Sequence, residues 1–292
     1  MIAHATILVL RTCSADRTTF GGFQYPQSGW VEAPDWQPTD ECGHGLEGLP
    51  WGVGNSYLLS DNPEATWLVI AVAAADCRMG RGQLTGKCKF RRGTVVYAGA
   101  RDGAIKFLHT NGADRSKCVF SPVSSAADRS PVSSEGDRSP VSSAGDYSMA
   151  SSAGHNSPAL STGHGSMALS RGHGSPAIST GDGSPAISTG YGSMASSAGH
   201  NSPAISTGDD SMANSAGHNG VAVCTGPGGM VRAGIRGVIG CSYWDDTAER
   251  MRFAIADVGE DEILADTWYR VNGKGAFVPV LEGECPPEHT LT

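Results

Sequence analysis

Paired cysteines are missing from this chain of 292 residues. Its eight cysteines, Cys13, Cys42, Cys77, Cys88, Cys118, Cys224, Cys241 and Cys285, stand singly with no C-x-x-C spacing, which argues against a zinc ribbon or a redox dithiol motif. Charged residues make up only 17% and aromatics 7%, too little of either for an ordinary domain along the whole length. No apolar run approaches the roughly 18–20 residues of a membrane helix. The opening MIAHATILVLRTCSADR has neither a basic n-region nor a small-residue cleavage site; the expectation is a soluble, unsecreted protein with reduced thiols. No G-x-S-x-G, P-loop, HExxH or dinucleotide fingerprint occurs, so no cofactor and no catalytic metal are expected.

Glycine, 40 residues, and proline, 16, are what the chain has in excess. Both fall in phase. Ser recurs every nine residues from Ser121 to Ser211, so residues 121–219 form eleven nonapeptides of consensus S-[PM]-[AV]-x-S-[TA]-G-[DHY]-x. Such repetition decides the architecture before any local propensity does. Positions one, three and five hold small residues, whereas two, four and six drift, which is the period-2 signature of a strand with one buried face. A flexible Ser/Gly spacer would have no reason to keep that phase. Gly at position seven is expected to supply the positive-φ turn, and Pro at position two to open each strand, since it lacks an N–H. One strand and one turn cannot close a coil, so two nonapeptides are expected per 18-residue coil. Coils stacked about 4.8 Å apart give a narrow rod with room inside only for Ser, Ala and Val.

The flanks read differently. In residues 1–115, TILVLRT, TWLVIAVAAAD and TVVYAGA read as strands and DGAIKFLHTNG as a short helix. In residues 238–292, VIGCSYWDD, MRFAIADVG and TWYRVNGKGAFVPV read as a small β unit with a terminal hairpin at Asn272-Gly273. The expected fold is mainly β: an α+β N-terminal domain (1–115), a parallel β-solenoid (116–237) and a C-terminal β cap (238–292). Capped ends suit a solenoid, because an open coil edge templates aggregation.

The segments GFQYP, ECGHGLEG and GKCKFRRGTVVYAG, the nonapeptides, and the ending ILADTWYRVNGKGAFVPV resemble a three-part family common in bacteriophages and prophages. That resemblance implies a phage-related, host-cytoplasmic setting and a cap–rod–cap design, with no established reaction. The family often has His where this chain has Glu47.

Candidate functional residues follow from the same frame. With two repeats per coil, position four places Leu160/Ile178 and Leu169/Ile187/Ile205 as two outward apolar stripes, which suit protein contacts or self-association. Position eight stacks Asp and His, Asp182, His164 and His173 among them, on two turn edges. A calcium roll needs paired glycines and an Asp in every repeat, and neither is present. Ice binding needs regular Thr ladders over a broad face; Thr162, Thr180, Thr189 and Thr207 are interrupted by Ala and by Arg171, and that surface reads as too irregular to match a lattice. In the N-terminal domain His44 and Glu47 are the weak candidates for acid/base work, beside Asp35, Asp40, Glu41 and Cys42, with Trp36 and Trp51 as walls. The basic run at 87–92 reads as a solvated strand edge, and the charge of −8 argues against direct nucleic-acid binding.

The resulting expectation is a non-catalytic phage-encoded binding protein, a homo-oligomer that inhibits a host defence or nucleic-acid-processing protein without a membrane partner. The alternatives are an enzyme acting through His44 and Glu47, and a structural component of the virion.

Overall fold

The computed structural model describes residues 6–19 and 21–281, so Cys285 lies outside them. The chain divides into two compact units, Met1–Ser121 and Pro122–Thr292. Among the described residues no helix is long and apolar enough to cross a membrane.

In the first unit seven strands form one antiparallel sheet: β1 (Thr6–Cys13), β2 (Gly29–Glu32), β3 (Leu46–Pro50), β4 (Thr66–Ala73), β5 (Cys77–Met79), β6 (Cys88–Phe90) and β7 (Arg92–Gly99), in spatial order β2-β7-β4-β1-β3-β6-β5. The central strands are apolar on both faces because both faces are covered. Ile7 and Val9 of β1 join Leu68 and Ile70 of β4 in one core. Leu8 and Leu10 join Trp67 and Val69 in the other, against Ala104, Ile105 and Leu108 of helix α1 (Arg101–Thr110). The α+β expectation for this unit is met.

The second unit is a parallel β-solenoid of seven strands in each of two ladders. The first ladder stacks β8 (Val123–Ser125), β10 (Val141–Ser143), β12 (Ala159–Ser161), β14 (Ala177–Ser179), β16 (Met194–Ser197), β18 (Met212–Ser215) and β20 (Met230–Ala233). The second stacks β9 (Pro131–Ser134), β11 (Met149–Ser152), β13 (Met167–Ser170), β15 (Ala186–Ser188), β17 (Ala204–Ser206), β19 (Val221–Cys224) and β21 (Val238–Asp245). Register runs Val141↔Ala159↔Ala177↔Ala195, residue to residue plus eighteen, as two nonapeptides per coil require. The phase is also as expected, with Ala159, Ala168, Ala177 and Ala186 at 0% exposure. Where position two is Met the strand is four residues long and starts there, as in β13 and β18. Pro at that position mostly delays the start by one residue, as in β12, β14 and β17, for want of an N–H.

Glycine does two jobs in these coils, and its expected role at position seven is corrected. The positive-φ residue of each turn is at position nine: Arg129, Arg138 and Tyr147 in the first three repeats, then Asn156, Gly165, Gly174, Gly183, Gly192, Asn201, Asp210 and Asn219, the last eight being residue types that tolerate the left-handed region. Position seven is Gly for space. A Cβ on Gly181 would lie 2.1 Å from the Gly163 carbonyl oxygen of the preceding coil, and one on Gly163 would lie 2.1 Å from that of Gly145. Ala127, the exception, opens its ladder and has no earlier repeat for its Cβ to meet.

The buried serines divide in the same way. Position-one hydroxyls tie coil to coil: Ser184 Oγ accepts the Ser166 N–H at 3.0 Å and donates to the Gly163 carbonyl at 3.0 Å, and Ser166 repeats this with Ser148 and Gly145. At position five, Ser197 and Ser215 donate to the carbonyls of Ser184 and Ser202, while the buried hydroxyls of Ser143, Ser161, Ser170, Ser179, Ser188 and Ser206 have no partner among the described residues.

At the C-terminal end β21 still stacks in parallel on β19, then β22 (Arg250–Asp257) reverses against it. In the first ladder β23 (Tyr269–Val271) reverses on β20, with β24 (Phe277–Pro279) beyond. The thin Ala core ends against Ile263 and Tyr269, with Val258, Val271 and Phe277 packed around them. Large apolar side chains thus close a core that elsewhere admits only small ones.

Candidate functional site: the outward faces of the solenoid

The outward side chains of each ladder come from positions two, four and six. In the first ladder position four runs Ser142, Leu160, Ile178, Ser196, Asn214. In the second it runs Ser133, Ser151, Leu169, Ile187, Ile205, Val223. Leu160, Leu169, Ile178, Ile187 and Ile205 are half-buried, each flanked along its strand by fully buried Ala and Ser.

Position six is where order along the chain and order on the surface part company. Stacking by eighteen sorts the threonines into two uninterrupted runs, Thr162–Thr180 on one ladder and Thr189–Thr207–Thr225 on the other, all exposed. Thr225 belongs to the loosely framed repeat after residue 219, outside the eleven strict nonapeptides, and the same nine-residue frame places it at position six. Each of the five backbones is held by its own N–H, which donates at 3.0 Å to a position-five carbonyl of the preceding coil: Ser143, Ser161, Ser170, Ser188 and Ser206 in turn. Because Thr is β-branched, its χ1 is stiff as well. Along the second ladder Ile187, Ile205 and Val223 stand two residues before Thr189, Thr207 and Thr225, about 6.6 Å away along the strand, with ranks repeating at about 4.8 Å.

The turn edges are built by polar stacking. Asp182 Oδ1 accepts the His200 N–H at 2.8 Å, Asp146 Oδ1 accepts that of His164 at 2.8 Å, and Asp137 Oδ1 accepts that of His155 at 3.0 Å. His173 lies between His155 (ring centroids 5.0 Å apart, stacked) and Tyr191 (6.3 Å), and His164 meets Tyr147 edge-on at 5.8 Å. Among the described residues no three His, Cys, Asp or Glu side chains gather as a metal site would require.

In the first unit His44 and Glu47 line a cleft of about 480 Å³ with Arg11, Phe23, Tyr25 and Asp35. The imidazole Nδ1 of His44 is 3.4 Å from Asp35. Glu47 is engaged elsewhere, with one oxygen on Lys87 Nζ at 2.5 Å and the other accepting the Gly43 N–H at 3.1 Å. The same Lys87 ammonium lies 3.0 Å from Cys42 Sγ. Burial alone would lower the Lys87 pKa, but the Glu47 carboxylate and the Cys42 sulfur outweigh it and hold it raised. Neither expected wall is present: Trp36 covers Lys89 Nζ at 5.8 Å, and Trp51 packs against the cores on both sides of the sheet. Nor is the basic run a solvated edge. Strand β6 lies between β3 and β5, and Lys89 is fully buried, its ammonium donating to Thr39 Oγ1 (3.0 Å) and to the carbonyls of Glu41 (2.9 Å) and Gly43 (3.3 Å).

The fold and its outward ladders define a repeat protein of the β-solenoid class. Its repeat region is similar to bacterial ice nucleation proteins. That of Pseudomonas syringae pv. syringae is 38% identical over 122 residues, 41% of this chain and 10% of the relative. InaU of Pantoea ananas is 35% identical over 113 residues, 39% of this chain and 11% of the relative. A further Pseudomonas syringae protein is 42% identical over 107 residues, 37% of this chain and 9% of the relative. The chain spans about a tenth of the length of the curated relatives it matches. No family model and no solved structure matches it.

These relatives overturn the phage-based expectations. They are ice nucleation proteins of bacteria, which contradicts the reading as a phage product that inhibits a host defence protein or forms part of a virion, and with it residence in a host cytoplasm. The S/T-A-x-x-G type of repeat that suggested phage proteins is a generic solution to a narrow coil, and it carries no mark of origin.

Proposed function

We propose that the solenoid is a short ice-organising surface without enzymatic activity, and that its working face is the second ladder around Ile187/Thr189, Ile205/Thr207 and Val223/Thr225. The observation that carries this is the uninterrupted Thr189–Thr207–Thr225 run, with each backbone N–H tied at 3.0 Å. Each threonine offers water a hydroxyl and a methyl at a fixed repeat, and the apolar rank beside it leaves neighbouring water few competing partners. Holding the array rigid before water arrives removes the ordering cost that a flexible surface would meet at the moment of contact. The likeness of the repeat region to ice nucleation proteins supports the same reading.

The test is partition of the full chain into slowly grown ice, read beside droplet freezing. The native protein enters the ice phase and raises the median freezing temperature of droplets. Thr207→Asp, an outward change that keeps the far-ultraviolet circular dichroism of the coils, loses most of both effects. Native protein that stays in the liquid and freezes like buffer overturns the proposal.

A further inference from the structure

Two of the cysteines that look solitary in sequence meet at the end of the solenoid. Every one of the eleven nonapeptides has Ser at position five, and the second ladder carries that Ser up to Ser206. The next two ranks are Cys224 and Cys241, paired directly in register across β19 and β21. This is the step at which the repeat ends: β21 follows β19 after seventeen residues instead of eighteen, and β22 then reverses the chain. Both side chains point inward, at 0% and 1% exposure. The two side chains are therefore neighbours inside the coil. Cys224 Sγ donates to the Ser211 carbonyl at 3.4 Å, and Cys241 Sγ to that of Gly229 at 3.6 Å.

We propose that Cys224 and Cys241 are a disulfide site that staples the last nonapeptide coil to the strand opening the C-terminal cap. Directly paired residues on neighbouring strands are about 4.8 Å apart, inside the roughly 4.4–6.8 Å between Cα atoms that a disulfide spans. The oxidant is a small-molecule disulfide such as oxidised glutathione. One cysteine thiolate attacks a sulfur of that disulfide and releases one small thiol. The second cysteine thiolate then attacks the protein sulfur of the mixed disulfide and releases the other. Two protein S–H groups become one S–S bond, the oxidant is reduced to two thiols, and the two protons leave on them. Since both sulfurs are buried in the folded chain, the exchange belongs to folding, before the cap closes over them.

The chain carries its own control. Cys77 and Cys88 also stand on neighbouring strands, but the register of β5 and β6 pairs Cys77 with Phe90 and Met79 with Cys88. They are therefore diagonal neighbours, about 7–8 Å apart, beyond what a disulfide bridges without backbone movement.

The experiment refolds the full chain in a mixture of oxidised and reduced glutathione, alkylates it, and maps its peptides without reductant. The expected product is a Cys224–Cys241 linked pair that disappears on reduction, with Cys77 and Cys88 recovered alkylated. Reduction lowers the thermal midpoint of the second unit by roughly 5–10 °C, given the short loop closed and the unit's size. Cys224→Ser, which restores the residue of every other repeat, folds and shows neither linkage nor response to reductant. Cys224 and Cys241 both recovered alkylated from the oxidised chain, a Cys77–Cys88 link in their place, or an equal midpoint shift in Cys224→Ser each overturns the proposal.

Discussion

Leu10, Leu49, Leu68, Ile70 and Phe90 are fully buried in the first unit, whereas the side chains fully buried between residues 150 and 222 of the second are Ala and Ser. The first unit therefore draws on side-chain volume, at about 1.5–3 kcal/mol for each large apolar group removed from water. A buried Ala contributes only a methyl, and what holds the coils is the backbone ladder, the Ser bridges and the close approach that Gly permits. Cores of the first kind tolerate exchange of one large residue for another of similar volume. Coils of the second kind are sensitive to any added atom inside and tolerant outside, and this leaves positions two, four and six free to carry function.

The largest way to break that contrast is one methyl group. Gly181→Ala puts a Cβ against the Gly163 carbonyl, and a backbone atom in an interlocked stack cannot step aside. The expected loss is about 3 kcal/mol, read as a lowered urea midpoint of the solenoid by far-ultraviolet circular dichroism. Two residues on, Gly183 has φ +63°, and a side chain there would meet nothing within 4 Å of its Cβ among the described residues. Gly183→Asn, matching Asn201 and Asn219, stays within about 0.5 kcal/mol of the native chain. Equal losses at the two sites would erase the distinction between space and turn geometry.

In the first unit the matching change is Lys89→Met. It keeps most of the apolar stem but removes the ammonium that the Thr39 hydroxyl and the Glu41 and Gly43 carbonyls share. Leaving such groups unpaired costs about 2–3 kcal/mol. The readout is a lower denaturation midpoint of the first unit, followed by tryptophan fluorescence, with the solenoid transition unmoved.

The serines sharpen the comparison further. Ser184→Ala deletes a hydroxyl that both accepts and donates between coils, and is expected to cost about 2 kcal/mol. Ser179→Ala deletes a buried hydroxyl without a partner among the described residues, and is expected to be neutral or slightly stabilising. Chemical denaturation of the two variants side by side separates the roles of positions one and five, which look alike in sequence.

How far the fold was legible follows from the same residues. Strict phase at positions one, three and five was enough to give the coil, its register and its buried face, because in a narrow rod any larger residue would show as an exception. The two glycine requirements were not separable, since a left-handed turn and a close backbone approach both select Gly; only Asn156, Asn201, Asp210 and Asn219 at position nine hinted which was which. The threonine runs were hidden because adjacency in a solenoid is eighteen residues away, and a reading along the chain sees Arg171 and Ala where the surface has three Thr in succession. In the first unit Lys87 and Lys89 flank Cys88 like the outward face of an edge strand. Nothing local announces that the 39–43 loop folds over them and turns an apparent solvated face into a buried one.

The smallest expected effect tests whether the first unit has a pH response of its own. The His109 ring, on the last turn of α1, is half-buried and shares a 3.0 Å hydrogen bond between Nε2 and Ser121 Oγ. Burial, and secondarily the charge of Arg115, hold its pKa below the ordinary 6.5. As pH falls through 6.5 the unfolded chain takes up the proton before the folded chain does, so stability that is fully present above that pH declines below it. The decline is modest, because solvent reaches the ring and screens the charge. Thermal unfolding of the first unit across this range should show it, and His109→Gln should flatten it while leaving the solenoid's profile unchanged; an equal slope in the variant would remove His109 as the cause.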